Sequence, residues 1–236
     1  MKAVVLAGGK GTRLAPYTRI LPKPLMPIGE MPILEVLICQ MKRHGIEEIV
    51  LTVGHLSELL RSFFQDGSRF GVRIRYNYED KPLGTAGPLS LVEGLDDTFL
   101  VTNGDVLTTL DLGCLIDFHR DQGAAATIAM HQRSVRIDLG VIKCNGDSEV
   151  IGYVEKPTLD YKASMGIYVF EPRVLEYIPR GEYMDFPDLV LKLLACGQRV
   201  VGFPFDGYWQ DLGREDDYEQ ATADFERMKV EFLGAA

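Results

Sequence analysis

The segment from Leu6 to Ile28, LAGGKGTRLAPYTRILPKPLMPI, sets three glycines (Gly8, Gly9, Gly11), two arginines and two lysines directly behind a short apolar run, Ala3–Leu6. A glycine-rich turn after a strand exposes successive backbone N–H groups, which can cradle phosphate oxygens. Glycine is needed there because a Cβ would obstruct both the turn and the close approach of a ligand. Arg13 adds a fixed planar cation and Lys23 a mobile one. Leu6, Ala7, Gly8, Gly9, Gly11 and Thr12 are therefore candidates for seating a phosphorylated ligand. From Met1 to Gly29 the chain has five basic residues and no acid, while the whole carries −9, so −14 falls on the remainder. An anion site heads an acidic chain.

Spacing excludes two common phosphate loops. No glycine is followed by Lys-Ser or Lys-Thr, as a P-loop demands. Gly9-Lys10-Gly11-Thr12-Arg13 runs into Leu14 where the dinucleotide fingerprint needs glycine.

Further along, Thr102-Asn103-Gly104-Asp105 follows the apolar run Phe99–Thr102. Asp105 at such a strand end can reach a divalent cation; Mg²⁺ needs only one or two carboxylates beside substrate phosphates. Pro82-Leu83-Gly84-Thr85-Ala86-Gly87-Pro88-Leu89 is expected where a strand gives way to a helix, the edge at which open α/β sheets bind ligands. Gly84 and Gly87 would permit close approach, and Thr85 offers a donor and an acceptor, although it serves equally as a helix cap. Glu79 lies just before this string. A carboxylate can accept from both N1–H and the exocyclic amine of guanine, whereas thymine or uracil presents one donor.

These groups need a scaffold, and β-branched apolar runs alternating with segments of helical period predict a mostly parallel sheet flanked by helices. Strands are expected at Ala3–Ala7, Ile49–Val53, Val72–Tyr78 and Phe99–Thr102, with helices at Ile33–His44, Leu56–Phe64, Ala86–Glu93 and Asp111–Gln122. The second half reads as strands with little helix between them: Ala125–Met130, Gly140–Cys144, Val150–Glu155 and Gly166–Phe170. They predict a small antiparallel extension before helices return at Pro187–Cys196 and Asp216–Phe232. The fold expected is α/β, a Rossmann-like single domain over residues 1–236, divided at about residue 123 into a βαβ half and a strand-rich half.

Composition narrows the class. Apolar content of 46% and charged content of 25% are ordinary for a globular chain. No run free of Asp, Glu, Lys and Arg approaches the roughly 20 residues of a membrane span, and no signal-peptide core follows Met1. Four scattered cysteines predict reduced thiols, a cytoplasmic setting and no zinc site. A charge of −9 disfavours a nucleic-acid partner. The four histidines have no ligand spacing and read as structural or surface residues. Homo-oligomerisation stays open.

The order G-G-x-G-T-R-L, then P-K-P, closely resembles the signature of the sugar-phosphate nucleotidyltransferases, and PLGTAGPL is similar to the guanylyl members that act on mannose 1-phosphate. Tyr208-Trp209-Gln210-Asp211-Leu212-Gly213 resembles the family's late W-x-D-[IL]-G, and Val154-Glu155-Lys156-Pro157 its E-K-P. The resemblance implies transfer of a nucleotidyl group from an NTP, GTP favoured, to a sugar 1-phosphate. It implies Arg13 and Lys23 as catalytic cations and Asp105 with Asp211 as Mg²⁺ ligands. Gly104, Gly140, Glu155, Lys156, Ser164 and Gly166 fall to the sugar phosphate. Many members carry Asn where Ser164 stands, which leaves the sugar open among mannose, a heptose and glucose; uridylyl and thymidylyl transfer also remain. The resemblance makes the half to about residue 123 the nucleotide side and the remainder the sugar-phosphate side, and the C-terminal β-helical domain of many relatives is not expected. Two other readings are a glycosyltransferase with a variant D-x-D motif, in which GGKGTRL has no role, and a silent NDP-sugar sensor, which should lack one of the four charged site residues.

Overall fold

A computed structural model describes residues 1–234 of the chain. Its strands are β1 (Lys2–Ala7), β2 (Pro27–Ile28), β3 (Met31–Pro32), β4 (Glu48–Val53), β5 (Arg73–Tyr78), β6 (Phe99–Asn103), β7 (Val106–Thr108), β8 (Ala126–Arg136), β9 (Val141–Cys144), β10 (Val150–Val154), β11 (Thr158–Phe170), β12 (Val200–Phe205) and β13 (Trp209–Asp211). The helices are α1 (Ile33–Arg43), α2 (Ser57–Phe64), α3 (Leu112–Gln122), α4 (Phe186–Ala195), α5 (Glu215–Arg227) and α6 (Lys229–Leu233). None is long and apolar enough to cross a membrane.

The central sheet has seven strands in the order β12-β8-β11-β6-β1-β4-β5. All run parallel except β11, which lies antiparallel to β6 and β8. This is the α/β, mostly parallel sheet expected. Side-chain alternation divides the core: Ala3, Val5 and Ala7 of β1 meet α1, α2 and α3 on one face, while Val4 meets α4 and the 87–91 turn on the other. A third cluster joins Phe225 and Phe232 of the last two helices to Ile28, Ile33, Leu107 and Leu212. It fastens the end of the chain against the segment that follows the glycine loop.

Several expectations need correction. Ala86–Glu93 is not an α-helix; only a 3₁₀ segment, Gly87–Leu91, forms there. Pro88 has no N–H, and the Ala86 and Gly87 N–H groups both donate to Met184 O (2.9 and 3.0 Å). The last helix breaks at Met228, whose φ of −113° and ψ of 22° are not helical, giving α5 and α6. The small antiparallel extension is present as expected and grows out of the main sheet: β8 and β11 overrun it, pairing from Ser164–Met130 out to Thr158–Arg136, with the β9–β10 ribbon beyond.

Candidate active site

A cavity of about 760 Å³ opens where β1, β4 and β6 end, and Leu6, Ala7, Gly8, Gly9, Gly11, Thr12, Arg13, Lys23, Glu79, Gly84, Thr85 and Asp105 all border it. Gly11 is required by its left-handed backbone, and at Gly8 the Glu79 carboxylate fills the space a side chain would take. A Cβ on Gly8 would lie 2.8 Å from Glu79 Oε1, and one on Gly11, at φ +59°, would lie 2.9 Å from Thr18 Cγ2. Thr18 Oγ1 donates to Gly11 O at 2.7 Å and pins the turn. The N–H groups of Gly9, Lys10, Gly11 and Thr12 have no acceptor among the described residues, and Gly9 has no heavy atom within 4 Å of where a Cβ would stand. Unpaired donors beside open space are the surface an anion requires.

Asp105 and Asp211 are 106 residues apart in sequence, and one short ladder brings them together. β7 pairs antiparallel with β13 in the register Asp211–Val106, and Leu212 N donates to Asp105 O at 3.2 Å. Lys23, buried in the 3₁₀ turn between Pro22 and Met26, ion-pairs with Asp105 and has its Nζ 3.7 Å from Asp211 Oδ1. Arg13 completes the group: a Cβ on Gly213 would stand 3.2 Å from its guanidinium carbon, so the guanidinium lies close against the backbone just beyond the strand end that carries Asp211. Burial and then the neighbouring Asp105 push the Asp211 carboxyl above its usual range, against the opposing pull of Lys23 and Arg13. Two converging carboxylates are hard oxygen donors that fit Mg²⁺. Among the described residues no cluster of three His, Cys, Asp or Glu forms, so the remaining ligands would be phosphate and water.

The loop beside Glu79 is arranged differently from expectation. Gly84 (φ +77°) and Gly87 make room for the chain itself: a Cβ would lie 2.5 Å from Met184 O or from Glu182 O respectively. Thr85 uses both of its hydrogen-bonding functions internally, its hydroxyl donating to Asp185 Oδ1 (3.1 Å) and accepting from Phe186 N (2.8 Å). It ties this loop to the start of α4 and leaves no hydroxyl hydrogen for a ligand. Glu79 remains at the cavity wall, accepting from Leu83 N at 3.2 Å, and burial raises its pKa.

The residues expected around the sugar phosphate do not border the cavity. Gly104 is packed beneath β1, where a Cβ would lie 3.1 Å from Leu6 O. Gly166 (φ +72°) abuts Asn103, with 2.5 Å from its Cβ position to Nδ2. Ser164 donates to Tyr168 Oη at 3.0 Å. Farther out, Tyr153 Oη donates to Glu155 Oε2 at 3.0 Å beside Gly140, and exposed Lys156 sits at φ +46°. Sequence reasoning missed Lys10, His55, Lys81, Asn103 and Tyr183, which border the cavity. Only Lys10 and Asn103, inside recognised motifs, carried any signal.

With this geometry in view, the family comparison is decisive: the nucleotidyl transferase profile matches residues 2–228. The chain belongs to that family. It is 39% identical over 241 residues to a UTP–glucose-1-phosphate uridylyltransferase of Synechocystis, a match covering 94% of this chain and 62% of the relative. It is 37% identical over 232 residues to a mannose-1-phosphate guanylyltransferase of Mycobacterium tuberculosis, covering 95% and 64%. The chain thus spans somewhat less than two thirds of the length of these curated relatives. A Bacillus anthracis structure, provisionally assigned as a glucose-1-phosphate thymidylyltransferase and complexed with a sucrose, matches at a TM-score of 0.76 and 28% identity, covering 94% of each chain.

Proposed function

We propose that this nucleotidyl transferase joins an NTP to a sugar 1-phosphate, releasing pyrophosphate and an NDP-sugar, with GTP and mannose 1-phosphate as the favoured pair. The observation that carries the reading is the meeting of Arg13, Lys23, Asp105 and Asp211 beside a cavity whose glycine loop presents unpaired N–H groups.

The chemistry asks little covalent work of the protein. The incoming phosphate oxygen is ionised at neutral pH; its bond to the α-phosphorus forms as the bond to the pyrophosphate oxygen breaks, and no general base is required. Catalysis is positioning and charge neutralisation. Gly8–Thr12 seat the phosphates. Arg13 takes the charge that builds on the departing β- and γ-phosphates. Lys23, released from its carboxylate partners, serves the α-phosphate and the incoming phosphate. Asp105 and Asp211 would hold Mg²⁺, which when bound neutralises triphosphate oxygens. Gly140, Glu155, Lys156, Ser164 and Gly166 belong to the sugar side, with Gly166 set against Asn103 at the cavity border.

Glu79 supports guanine, since its carboxylate is held at the cavity wall and can accept twice from that base. Uridylyl transfer is the second reading, favoured by the Synechocystis relative at 39% identity. The retention of all four charged site residues argues against a silent sensor. Free Cys39, Cys114, Cys144 and Cys196 support a reducing, cytoplasmic setting.

A matrix of GTP, UTP, dTTP and CTP against mannose, glucose and heptose 1-phosphates, with pyrophosphate release as readout, tests the proposal. Release should need a sugar 1-phosphate and be fastest with GTP. Release from no pair would refute nucleotidyl transfer, and a UTP optimum would install the second reading.

A further inference from the structure

Tyr183 borders the cavity with a side chain that is 64% exposed, yet its hydroxyl and the backbone around it are both held. The hydroxyl donates to Asp185 Oδ2 at 2.6 Å. The other oxygen of that carboxylate accepts from Thr85 N (2.9 Å) and from the Thr85 hydroxyl (3.1 Å). On either side of Tyr183, Gly181 N donates to Ser90 Oγ (3.1 Å), Met184 N donates to Leu83 O (3.0 Å), and Met184 O accepts from Ala86 N and Gly87 N. Phe186 N donates to Thr85 Oγ1 at 2.8 Å, and the buried Phe186 ring lies against Tyr168 with centroids 4.2 Å apart. Residues 181–186 are thereby fastened both to the 83–90 loop and to the core.

The Tyr183 ring itself stacks on no other ring and lies under no guanidinium among the described residues. A large apolar face has been fixed in place at the cavity and left open. Little ordering remains to be done when a ligand arrives, which favours binding.

The same bonds set Tyr183 beside a second recognition group. Leu83 N donates to Glu79 Oε2 at 3.2 Å, while Leu83 O accepts from Met184 N. A single residue therefore links the Glu79 carboxylate to the neighbour of Tyr183. Tyr183 is tied to this loop and not to the strand ends that carry Asp105 and Asp211. A ligand that meets both groups is flat and apolar on its faces and carries N–H donors at its edge. A purine or pyrimidine has that form; a phosphate does not.

Given nucleotidyl transfer, on which this assignment rests, we propose that the Tyr183 ring is the face against which the nucleobase of the NTP lies. Every base has a π-face, so such a contact raises affinity without choosing among bases. The choice falls to Glu79, which reads the edge.

Calorimetric titration of the full chain, in the presence of Mg²⁺, with GTP, UTP and tripolyphosphate tests this, the last having the phosphates and no base. Tyr183→Ala should weaken GTP and UTP by about 10-fold each, with tripolyphosphate affinity and melting temperature unchanged. Tyr183→Phe keeps the ring and loses only the bond to Asp185, so both nucleotides should bind within about 3-fold of wild type. Equal nucleotide affinity in wild type and Tyr183→Ala overturns the assignment and leaves nucleotidyl transfer standing. So does an equal loss for tripolyphosphate, which puts the effect at the phosphates or in the fold. A defect confined to mannose 1-phosphate overturns it too, by placing the ring against the sugar. A wild type that binds neither nucleotide removes nucleotidyl transfer itself, and the assignment with it.

Discussion

Four charged side chains, Arg13, Lys23, Asp105 and Asp211, carry the proposed reaction, each with its own duty. Arg13→Ala and Asp211→Asn should each lower kcat by about 10²-fold, the size seen on losing one electrostatic stabiliser; steady-state pyrophosphate release measures this, and near wild-type turnover in either would contradict the assigned role. Burial and Asp105 together hold the Asp211 proton to higher pH than an ordinary carboxylate. Since the ionised pair is the form that serves the reaction, kcat/KM should fall as pH drops, with its inflection above the usual value of about 3.9. A profile flat down to about pH 4 would show that Asp211 is not needed ionised. Glu79→Gln exchanges a double acceptor for a donor–acceptor pair and should cost GTP at least about 10-fold in kcat/KM while favouring UTP. Arg13, Lys23 and Asp105 draw notice through a glycine-rich cationic turn and a carboxylate at a strand end, whereas Asp211 enters only through its resemblance to the family's W-x-D-[IL]-G segment, a lone Asp-x-Gly being an ordinary turn. Thr85 and Gly84 misled because a Gly-Thr-Ala-Gly string that admits a ligand and one that admits a neighbouring loop are the same string. The difference lies in Asp185 and Met184, about 100 residues on. His55 reads in the sequence as a structural or surface residue, since nothing local to it reveals that the β4 end opens on the cavity.

At the scale of elements, the parallel strands β1, β4, β5 and β6 and the helices between them followed directly from apolar runs of the right length. The misplaced elements have identifiable causes. Pro88 and the pull of Met184 O replaced a helix with a 3₁₀ turn. β7 and β13, three residues each, were too short for any periodicity, yet their ladder is what joins Asp105 to Asp211. β11 extends much farther than its apolar end suggested because its outer half, Thr158–Ser164, is largely solvent-exposed on the overrun. At the register shift between the two halves stands Gly166, at φ +72° against Asn103. Gly166→Ala should destabilise the fold by about 1–3 kcal/mol, read as a lowered urea midpoint with unchanged slope; an unaltered midpoint would mean the turn relaxes freely.

At the scale of the whole molecule, a buried polar link joins α3 to the sheet. His119, 1% exposed, bonds through Nδ1 to Thr127 Oγ1 (2.8 Å) and through Nε2 to Glu171 Oε1 (3.1 Å). Burial lowers its pKa, more than Glu171 restores it and with Arg120 and Arg173 adding to the fall. A histidine kept neutral in the fold but free to protonate when unfolded contributes stability above about pH 6.5, and that contribution is lost as pH falls toward the lowered folded value. Urea midpoints should therefore decline below about pH 6.5, and less so in His119→Gln at matched conditions; an equal decline would place the loss elsewhere.

The proposed nucleotidyl transfer to a sugar 1-phosphate depends on a glycine loop, two cations and two carboxylates acting together. Phosphorus-31 spectra of GTP, mannose 1-phosphate and Mg²⁺ with the wild type beside Asp211→Asn address it most directly. The wild type should convert the sugar-phosphate signal into a paired diphosphate with stoichiometric pyrophosphate, and the variant should do so about 10²-fold more slowly. Consumption of GTP to GDP and inorganic phosphate, or equal conversion by both proteins, would contradict it.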